Sequence, residues 1–290
     1  MQPLSYLNTT AGLVWTIACI PLGIIITVLS YAIINRVPAK WLCDYDEEPS
    51  EELLSGKRIS FFPTGIIAAV IVTAALVLCR LGFNKGFDIY FCTEALIIFV
   101  CLMIAISDLK YQIIPDQFTI ALGILAVGLS VYDLVRGFKI LHSVWWSPLA
   151  GAAVGGVVML LIGYIGKIAY KRDGIGFGDV KLFFAAGVIG GFPGTIYMFL
   201  LSVITASVFF AVIMITKKKE DHTVDSEEKT ENEEMPDADK SEDSEKEPET
   251  EKESGGGYLA FGPYIAASAV VYFALFDLIH YLVGLYLNLF

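Results

Sequence analysis

The chain has 290 residues, of which 56% are hydrophobic and 18% are charged. A soluble globular domain carries about a quarter charged residues, so this composition excludes an ordinary cytosolic enzyme. The net charge is −11, and −10 of it falls in residues 217–255, which hold 17 acidic and 7 basic side chains. The rest of the sequence has no basic patch, so nucleic acid is not an expected partner.

Eight apolar runs follow one another along the chain, and each is a candidate membrane-spanning helix. Such a helix needs about 20 mostly apolar residues. The runs are Leu13–Ile34, Thr64–Leu81, Phe91–Ser107, Ile120–Val135, Leu149–Ile168, Val180–Phe192, Thr195–Ile215 and Leu259–Leu289. The sixth is short, which leaves seven crossings as the alternative. The predicted fold is an all-α, polytopic membrane helix bundle of about eight transmembrane helices.

Lysine and arginine are distributed unevenly between the predicted loops. Alternate loops carry Arg36, Lys40, Lys57, Arg58, Lys110, Lys171, Arg172, Lys217, Lys218 and Lys219, and the others carry only Arg80, Lys85, Arg136 and Lys139. Cytoplasmic loops are enriched in positive charge, which predicts that the N-terminus lies outside and the first set of loops inside.

Residues 217–255 join the seventh and eighth predicted spans on the cytoplasmic side and are rich in Glu, Ser and Thr. Such a segment cannot bury enough apolar surface to offset chain entropy, which predicts a disordered acidic insert. A solvated spacer is the preferred interpretation, and a docking segment is the alternative.

The cysteine and glycine residues of the predicted spans are interpreted as structural rather than catalytic. The cysteines are Cys19, Cys43, Cys79, Cys92 and Cys101, with no Cys-x-x-Cys pair. A disulfide framework or a four-thiolate zinc site is therefore not expected, and all but Cys43 are interpreted as small buried hydrophobic residues. Gly151, Gly155, Gly156 and Gly163 have the small-residue spacing of closely packed membrane helices.

Two acidic residues at the ends of predicted spans are the candidates for chemistry, because ionisable residues at membrane depth are usually functional. Asp108 ends the third span and Asp179 begins the sixth. The chain crosses the membrane twice between them, so both lie at the same boundary. Two carboxyl groups about 3 Å apart cannot both ionise, so one can accept a proton from water while the other protonates or polarises a carbonyl. This is aspartic protease chemistry, which needs no metal or other cofactor.

The surroundings of the two acids differ. Asp179 lies at a helix N-terminus, which favours its ionised form, and Asp108 lies at a helix C-terminus, which favours the protonated form. Gly174, Gly176 and Gly178 leave room near Asp179 for an extended substrate backbone.

Structural interpretations compete with the catalytic one. Asp116, which follows Pro115, is predicted to be a helix N-cap rather than a catalytic residue. Taken singly, Asp179 could also be an N-cap and Asp108 an interfacial residue at a helix end. Asp277 and His280 are three residues apart in the last span and are interpreted as a hydrogen-bonded pair inside the bundle.

Three short motifs occur in order among the spans. They are Asp108 with Ile114-Pro115-Asp116, Gly176-Phe177-Gly178-Asp179-Val180-Lys181, and Ala260-Phe261-Gly262-Pro263-Tyr264. With these motifs the chain resembles, over about residues 90–280, the bacterial type IV prepilin peptidases, which are membrane aspartic proteases of the GxGD kind. The resemblance implies a multi-pass enzyme of the bacterial plasma membrane that removes a short basic leader from prepilin-like precursors at the cytoplasmic face.

The resemblance also implies roles for individual residues. The catalytic aspartates of the family match Asp108 and Asp179, and its Gly-Asp loop matches Gly176 and Gly178. Roles in substrate binding or in shaping the loops are expected for Lys181, Pro115, Asp116, Phe261, Gly262 and Pro263. The implied partners are prepilin-like precursors and membrane lipids.

The N-terminal part departs from the family pattern. Many members have a cytoplasmic loop after the first span with two zinc-binding cysteine pairs, a region linked to methylation of the new N-terminus. Here 35–38 and 54–58 look like the flanks of that loop, but only Cys43 lies between them. One thiolate cannot hold a tetrahedral zinc, so neither a metal site nor a methyltransferase activity is expected. The predicted division is 1–89, with this shortened loop, and a peptidase core over 90–290, interrupted by 217–255.

A proton-coupled transporter with paired carboxylates is the alternative function. Transporters often contain inverted repeats with broken helices, and their acids lie near the bilayer midplane. No internal repeat mirrors Gly-Phe-Gly-Asp in the first four spans, and the two acids lie at a boundary. The sequence therefore favours the peptidase.

Overall fold

The computed structural model describes residues 10–43, 48–54, 58–82, 89–137, 142, 144–170, 176–231, 261–276 and 279. All regular elements in these ranges are helices, which confirms the predicted all-α class there. They are α1 (Thr10–Ile34), a 3-10 turn (Ala39–Trp41), α2 (Glu51–Leu54), α3 (Thr64–Gly82), α4 (Ile89–Tyr111), α5 (Asp116–Arg136), α6 (Ser147–Tyr170), α7 (Phe177–Glu231) and α8 (Gly262–Ala274).

Five helices in the described part are long and apolar enough to cross a membrane. They are Leu13–Ile34, Ile89–Tyr111, Asp116–Arg136, Ser147–Ile168 and Phe177–Val212. Two further apolar helices, Thr64–Cys79 and Gly262–Ala274, are shorter. The chain is therefore a helical multi-pass membrane protein, and its described part has fewer full-length spans than the sequence predicts.

The sixth and seventh predicted spans both lie within α7, where two helices meet at a kink. Gly191 has φ 61° and ψ −172° at this point, and Pro193 follows it. Glycine adopts the left-handed φ without a Cβ penalty, and proline lacks the N–H that would continue the hydrogen-bond ladder. The break between the two apolar runs is therefore a change of direction between consecutive helices and not a loop.

The acidic segment differs in part from the prediction. The helix continues to Glu231, so residues 217–231 are helical, and the rest of the predicted insert lies outside the described residues. Lysine and glutamate are good helix formers, and extending an existing helix avoids the cost of nucleation.

The chain divides into two compact units, Met1–Ser202 with Ala260–Phe290 and, separately, Val203–Leu259. The candidate site lies in the first unit.

Helix α4 is the central helix of that first unit. It packs against α1, α3, α5 and α8. Its most apolar window is 61% buried, whereas the other four candidate spans range from 22% to 39%. A helix that is hydrophobic on all sides is typically enclosed by others, and α4 fits this rule.

The prediction that four cysteines are buried is wrong for one of them. Cys92, on α4, is exposed, while Cys19, Cys79 and Cys101 are buried. An exposed side chain on a membrane helix faces lipid and does not need to be polar.

The short loop between α1 and α3 is organised around a buried arginine. Arg58 Nε donates to the Leu53 carbonyl at 2.8 Å, and Nη1 donates to the carbonyls of Ile34, at 3.3 Å, and Val37. Lys110, near the end of α4, donates to the Arg58 carbonyl. The loop is thereby attached to the same end of α4 that carries Asp108.

A buried group of polar side chains lies near the start of α4 and the end of α5, away from the end of α4 that carries Asp108. We call it the distal polar cluster, and it consists of Tyr90, Ser130, Asp133 and His142. The Tyr90 hydroxyl donates to Asp133 Oδ1 at 2.7 Å, and the His142 backbone N–H donates to Asp133 Oδ2 at 3.4 Å. Ser130 Oγ lies 3.2 Å from His142 Nε2. These bonds join the loop before α6 to α4 and α5.

We predict that His142 makes the stability of the protein pH-dependent. Burial lowers the pKa of His142 from 6.5 to about 4, and the nearby Asp133 only partly opposes this shift. Below pH 6.5 the unfolded chain binds a proton that the folded chain binds only near pH 4, so stability falls as the pH falls through this window. The loss amounts to about 3 kcal/mol.

Thermal unfolding in detergent, compared between pH 7 and pH 4.5, measures this effect. His142→Gln keeps a hydrogen-bonding side chain but does not titrate, so its unfolding temperature should depend less on pH. Equal pH dependence in the two proteins would show that His142 does not contribute.

Candidate active site

Asp108 lies in the last turn of α4 with 4% of its surface exposed. The chain reverses just after it. Gln112 adopts a left-handed φ of 55°, and its N–H donates to the Asp108 carbonyl at 2.9 Å. Ser107 Oγ donates to the Ile113 carbonyl at 2.8 Å. These bonds end the helix and turn residues 112–115 back beside the carboxyl group.

Asp179 lies in the first turn of α7 and is 8% exposed. The helix begins at Phe177, and the Asp179 N–H donates to the Gly176 carbonyl at 3.1 Å. Asp179 is thus the third residue of the helix and not its N-cap. A Cβ on Gly178 would lie 3.2 Å from Ile114 Cβ, so the chain at Gly178 packs directly on the loop that follows α4.

The first residue of α8 reaches the same place. A Cβ on Gly262 would lie 2.6 Å from Asp108 Oδ2 and 2.8 Å from Ile114 Cδ1. Any larger residue would have to displace the carboxyl group, which gives a physical reason for glycine here. Pro263 occupies the first turn of α8, where a missing N–H costs nothing. Ile114 therefore contacts both the Gly178 and the Gly262 segments, and the three sequence motifs meet around it.

The two carboxyl groups lie close enough to interact with each other electrostatically. The backbones of Gly262 and Gly176 are their respective hydrogen-bonding neighbours. Among the described residues, none donates a hydrogen bond to Asp108 Oδ2 or to Asp179 Oδ1, although both atoms are buried. Buried polar atoms are normally satisfied, so two such oxygens in one place are suited to bind water or a substrate.

Asp116 and Lys181 form an ion pair beside the acids, which corrects the predicted role of Asp116. Pro115 occupies the N-cap position of α5, and Asp116 follows it as the first helical residue. Lys181 Nζ lies 2.8 Å from Asp116 Oδ1 and 2.9 Å from Oδ2. The lysine also lies over the Phe177 ring, 4.9 Å from its centroid. The pair connects the start of α5 to the start of α7.

Some sequence-predicted residues cannot be placed, and some buried residues were not predicted. Gly174, Asp277 and His280 lie outside the described residues. Glu94 is 1% exposed and is the single acid in the run Phe91–Ser107, a signal that could have identified it. It lies about 21 Å along α4 from Asp108 at 1.5 Å per residue, so it is not part of this site. Within the described ranges, no three His, Cys, Asp or Glu side chains are grouped as metal ligands.

Comparison with known proteins agrees with this geometry. The model of the type IV leader peptidase family matches residues 95–211, which contain both aspartates. The prepilin leader peptidase/N-methyltransferase of Xanthomonas campestris pv. campestris is 29% identical over 180 residues, covering 59% of this chain and 58% of the relative. The Bacillus subtilis protein of the same name is 29% identical over 162 residues, covering 56% of this chain and 58% of that protein.

The Escherichia coli K12 protein of that name is 31% identical over 123 residues, covering 42% of this chain and 51% of the relative. The chain thus spans less than two thirds of the length of each of these relatives. No solved structure matches significantly. The matched region carries Asp108, the Ile114 loop and the Gly-Asp segment of α7, so residues 95–211 of this chain are similar to the type IV leader peptidase family.

Proposed function

We propose that the protein is a membrane aspartic endopeptidase that removes a short basic leader from prepilin-like precursors, with Asp108 and Asp179 as its catalytic residues. The observation that supports this most strongly is that the chain segments carrying the two acids come together around Ile114, and each acid has a buried oxygen that receives no hydrogen bond from the described residues. The acids lie at helix ends, as expected for a site reached from the membrane boundary, and nothing favours the transporter alternative.

The two acids act together on a water molecule. One carboxylate removes a proton from the water, which attacks the carbonyl carbon of the scissile bond, while the protonated carboxyl group donates its proton to the carbonyl oxygen. The tetrahedral intermediate then collapses: the leaving amine takes the proton that the first carboxylate had accepted, and a hydroxyl group of the intermediate returns a proton to the second carboxylate. Two interacting carboxyl groups titrate as a unit, so either can hold the shared proton between turnovers.

We place the active site at the cytoplasmic face because the positive charges of the predicted loops favour this orientation. The two halves of α7 then count as two crossings, which gives eight in all. Residues 1–89 form the N-terminal spans, and 90–290 form the peptidase core with the acidic insert 217–255 on the cytoplasmic side. A basic leader would be drawn to anionic lipid headgroups at this face, next to the acids.

The shortened loop leads us to propose that the protein cleaves without methylating. Only Cys43 lies between Asn35 and Arg58, and a structural zinc needs four ligands. Buried hydrogen bonds from Arg58 hold this loop in place of a metal. Mass spectrometry of the cleaved product should find an unmodified N-terminal amine. An enzyme-dependent gain of one methyl group would contradict this proposal.

Cleavage is tested by reconstituting the purified protein in lipid vesicles with a single-span precursor that carries a basic leader. The expected product has lost the leader at a single bond immediately before its apolar helix. A relative such as the Bacillus subtilis protein serves as the positive control for the precursor. If the relative cleaves the precursor and this protein does not, the proposed function is wrong.

A further inference from the structure

A cavity of about 670 Å³ opens between α5, α6 and α7, beside the candidate site. The side chains of α7 that line it have helical spacing and are Phe177, Val180, Lys181, Phe184, Ala185 and Val188. The opposite wall on α5 includes Asp116, Ile120, Gly123 and Val127. The lining is apolar apart from Thr119 and the Asp116–Lys181 ion pair at one end. We call this cavity the α5–α7 groove.

One end of the groove lies at the first turn of α7, close to the acid pair, although neither Asp108 nor Asp179 lines it. Its end at Phe177, Val180 and Lys181 is the same first turn of α7 that carries Asp179. From this end it follows α5 from Asp116 to Val127 and α7 from Phe177 to Val188. At 1.5 Å per residue each wall is about 16 Å long, or roughly half of the 30 Å hydrocarbon core. Whatever occupies the groove therefore ends at the helix turn that carries Asp179.

Small residues form part of the lining, and their short side chains leave the interior of the groove open. Gly123, Ala153, Gly156 and Ala185 lie along the groove. A Cβ on Gly123 would meet no atom within 4 Å, and one on Gly156 would approach only Phe184, at 3.3 Å. In membranes, small residues mark the surfaces on which another helix packs closely, because they allow two backbones to approach.

We propose that the α5–α7 groove binds the apolar helix of the precursor, immediately C-terminal to the scissile bond. This inference rests on the proposed function and deepens it. A wall of about 16 Å accommodates about eleven residues of helix, or three turns. The ion pair Asp116–Lys181 lies at the open end, where the helix gives way to the extended segment that reaches Asp108 and Asp179. The groove thus fixes the distance between the first turn of the precursor helix and the bond that is cleaved.

Filling the groove tests the inference. Gly123→Leu places a side chain in the groove without contacting the fold, and it should raise the KM for the precursor at least tenfold while kcat changes less than twofold. Gly128→Leu is the matched control, because its Cβ also meets no atom within 4 Å but Gly128 does not line the groove. The control should leave both constants unchanged. Equal constants for Gly123→Leu and the unaltered enzyme would overturn the inference but leave the proposed function intact.

A crosslinking experiment gives a second readout that does not depend on cleavage. Ile120 and Ile124 are both exposed on α5, at 61% and 67%, and only Ile120 lines the groove. A photoreactive phenylalanine analogue at position 120, in an Asp179→Asn background, should form an adduct with the apolar helix of the precursor, whereas the same analogue at position 124 should not. Adducts with lipid only, or equal precursor adducts at both positions, would show that the groove does not hold the precursor helix.

Discussion

Replacing Asp108 or Asp179 by asparagine is expected to lower the rate of leader cleavage by about a thousandfold or more. Asparagine has nearly the same volume as aspartate but neither accepts nor releases a proton near neutral pH, so each variant removes one member of the acid pair. Losing one proton-transfer group typically costs about 10²–10⁴-fold, and groups that act as a unit lose nearly all activity together. The double variant should therefore be only slightly less active than either single variant.

The matched control for this experiment is Asp116→Asn. Asp116 lies in the same region, but its carboxylate is paired with Lys181, and both side chains are about one third exposed. An ion pair at this exposure contributes little, about 1 kcal/mol or less, so cleavage should fall by less than tenfold. A loss in Asp116→Asn as large as that in Asp108→Asn would assign the chemistry to a different pair of acids. Circular dichroism of each variant checks that the helices are retained.

The sequence was sufficient to predict that the two acids lie at the same membrane boundary, because an even number of predicted crossings separates Asp108 from Asp179, and this is a necessary condition for their pairing. It could not predict Ile114 as the shared contact, since an isoleucine before a proline gives no signal of what will pack on it. The sequence also could not predict why glycine is required at position 262. The requirement arises because α8 approaches the Asp108 carboxyl group, which is distant in sequence.

Errors in the predicted fold have a common physical origin. Apolar runs indicate which residues enter the membrane but not how successive helices are joined, so the sequence did not predict that the sixth and seventh runs follow each other directly through a kink at Gly191. Asp116 was predicted to be an N-cap from local preference alone, whereas its partner Lys181 is 65 residues away. The distal polar cluster was missed because Tyr90, Asp133 and His142 look unrelated in the sequence.

The glycine spacing of α6 was interpreted correctly as a packing signal, and the structure shows its partner. A Cβ on Gly151 would lie 2.5 Å from the carbonyl carbon of Gly191, and a Cβ on Gly187 would lie 2.7 Å from that of Gly151. The obstacles are backbone atoms, which cannot rotate away as a side chain can. Helices α6 and α7 therefore touch backbone to backbone at this point.

Gly187→Ala is expected to destabilise the protein by about 3 kcal/mol, although alanine is the better helix former by about 1 kcal/mol. One methyl group at this position would meet the backbone of Gly151, so α6 and α7 must move apart there. The measurement is the unfolding temperature of the purified protein in detergent. Gly166→Ala on α6 is the matched control, since its Cβ would meet no atom within 4 Å. The same chemical change should there leave stability unchanged or raise it by up to about 1 kcal/mol.

The same contact also positions the catalytic carboxyl group. Gly187 lies about 12 Å along α7 from Asp179 at 1.5 Å per residue, within the same straight segment before the kink at Gly191. Moving α7 outward at Gly187 therefore moves Asp179 relative to Asp108, which is held by α4. Folded Gly187→Ala protein should then cleave its precursor more slowly than Gly166→Ala protein at the same temperature. Equal rates per folded molecule would mean that the acids are positioned by the Ile114 contact alone.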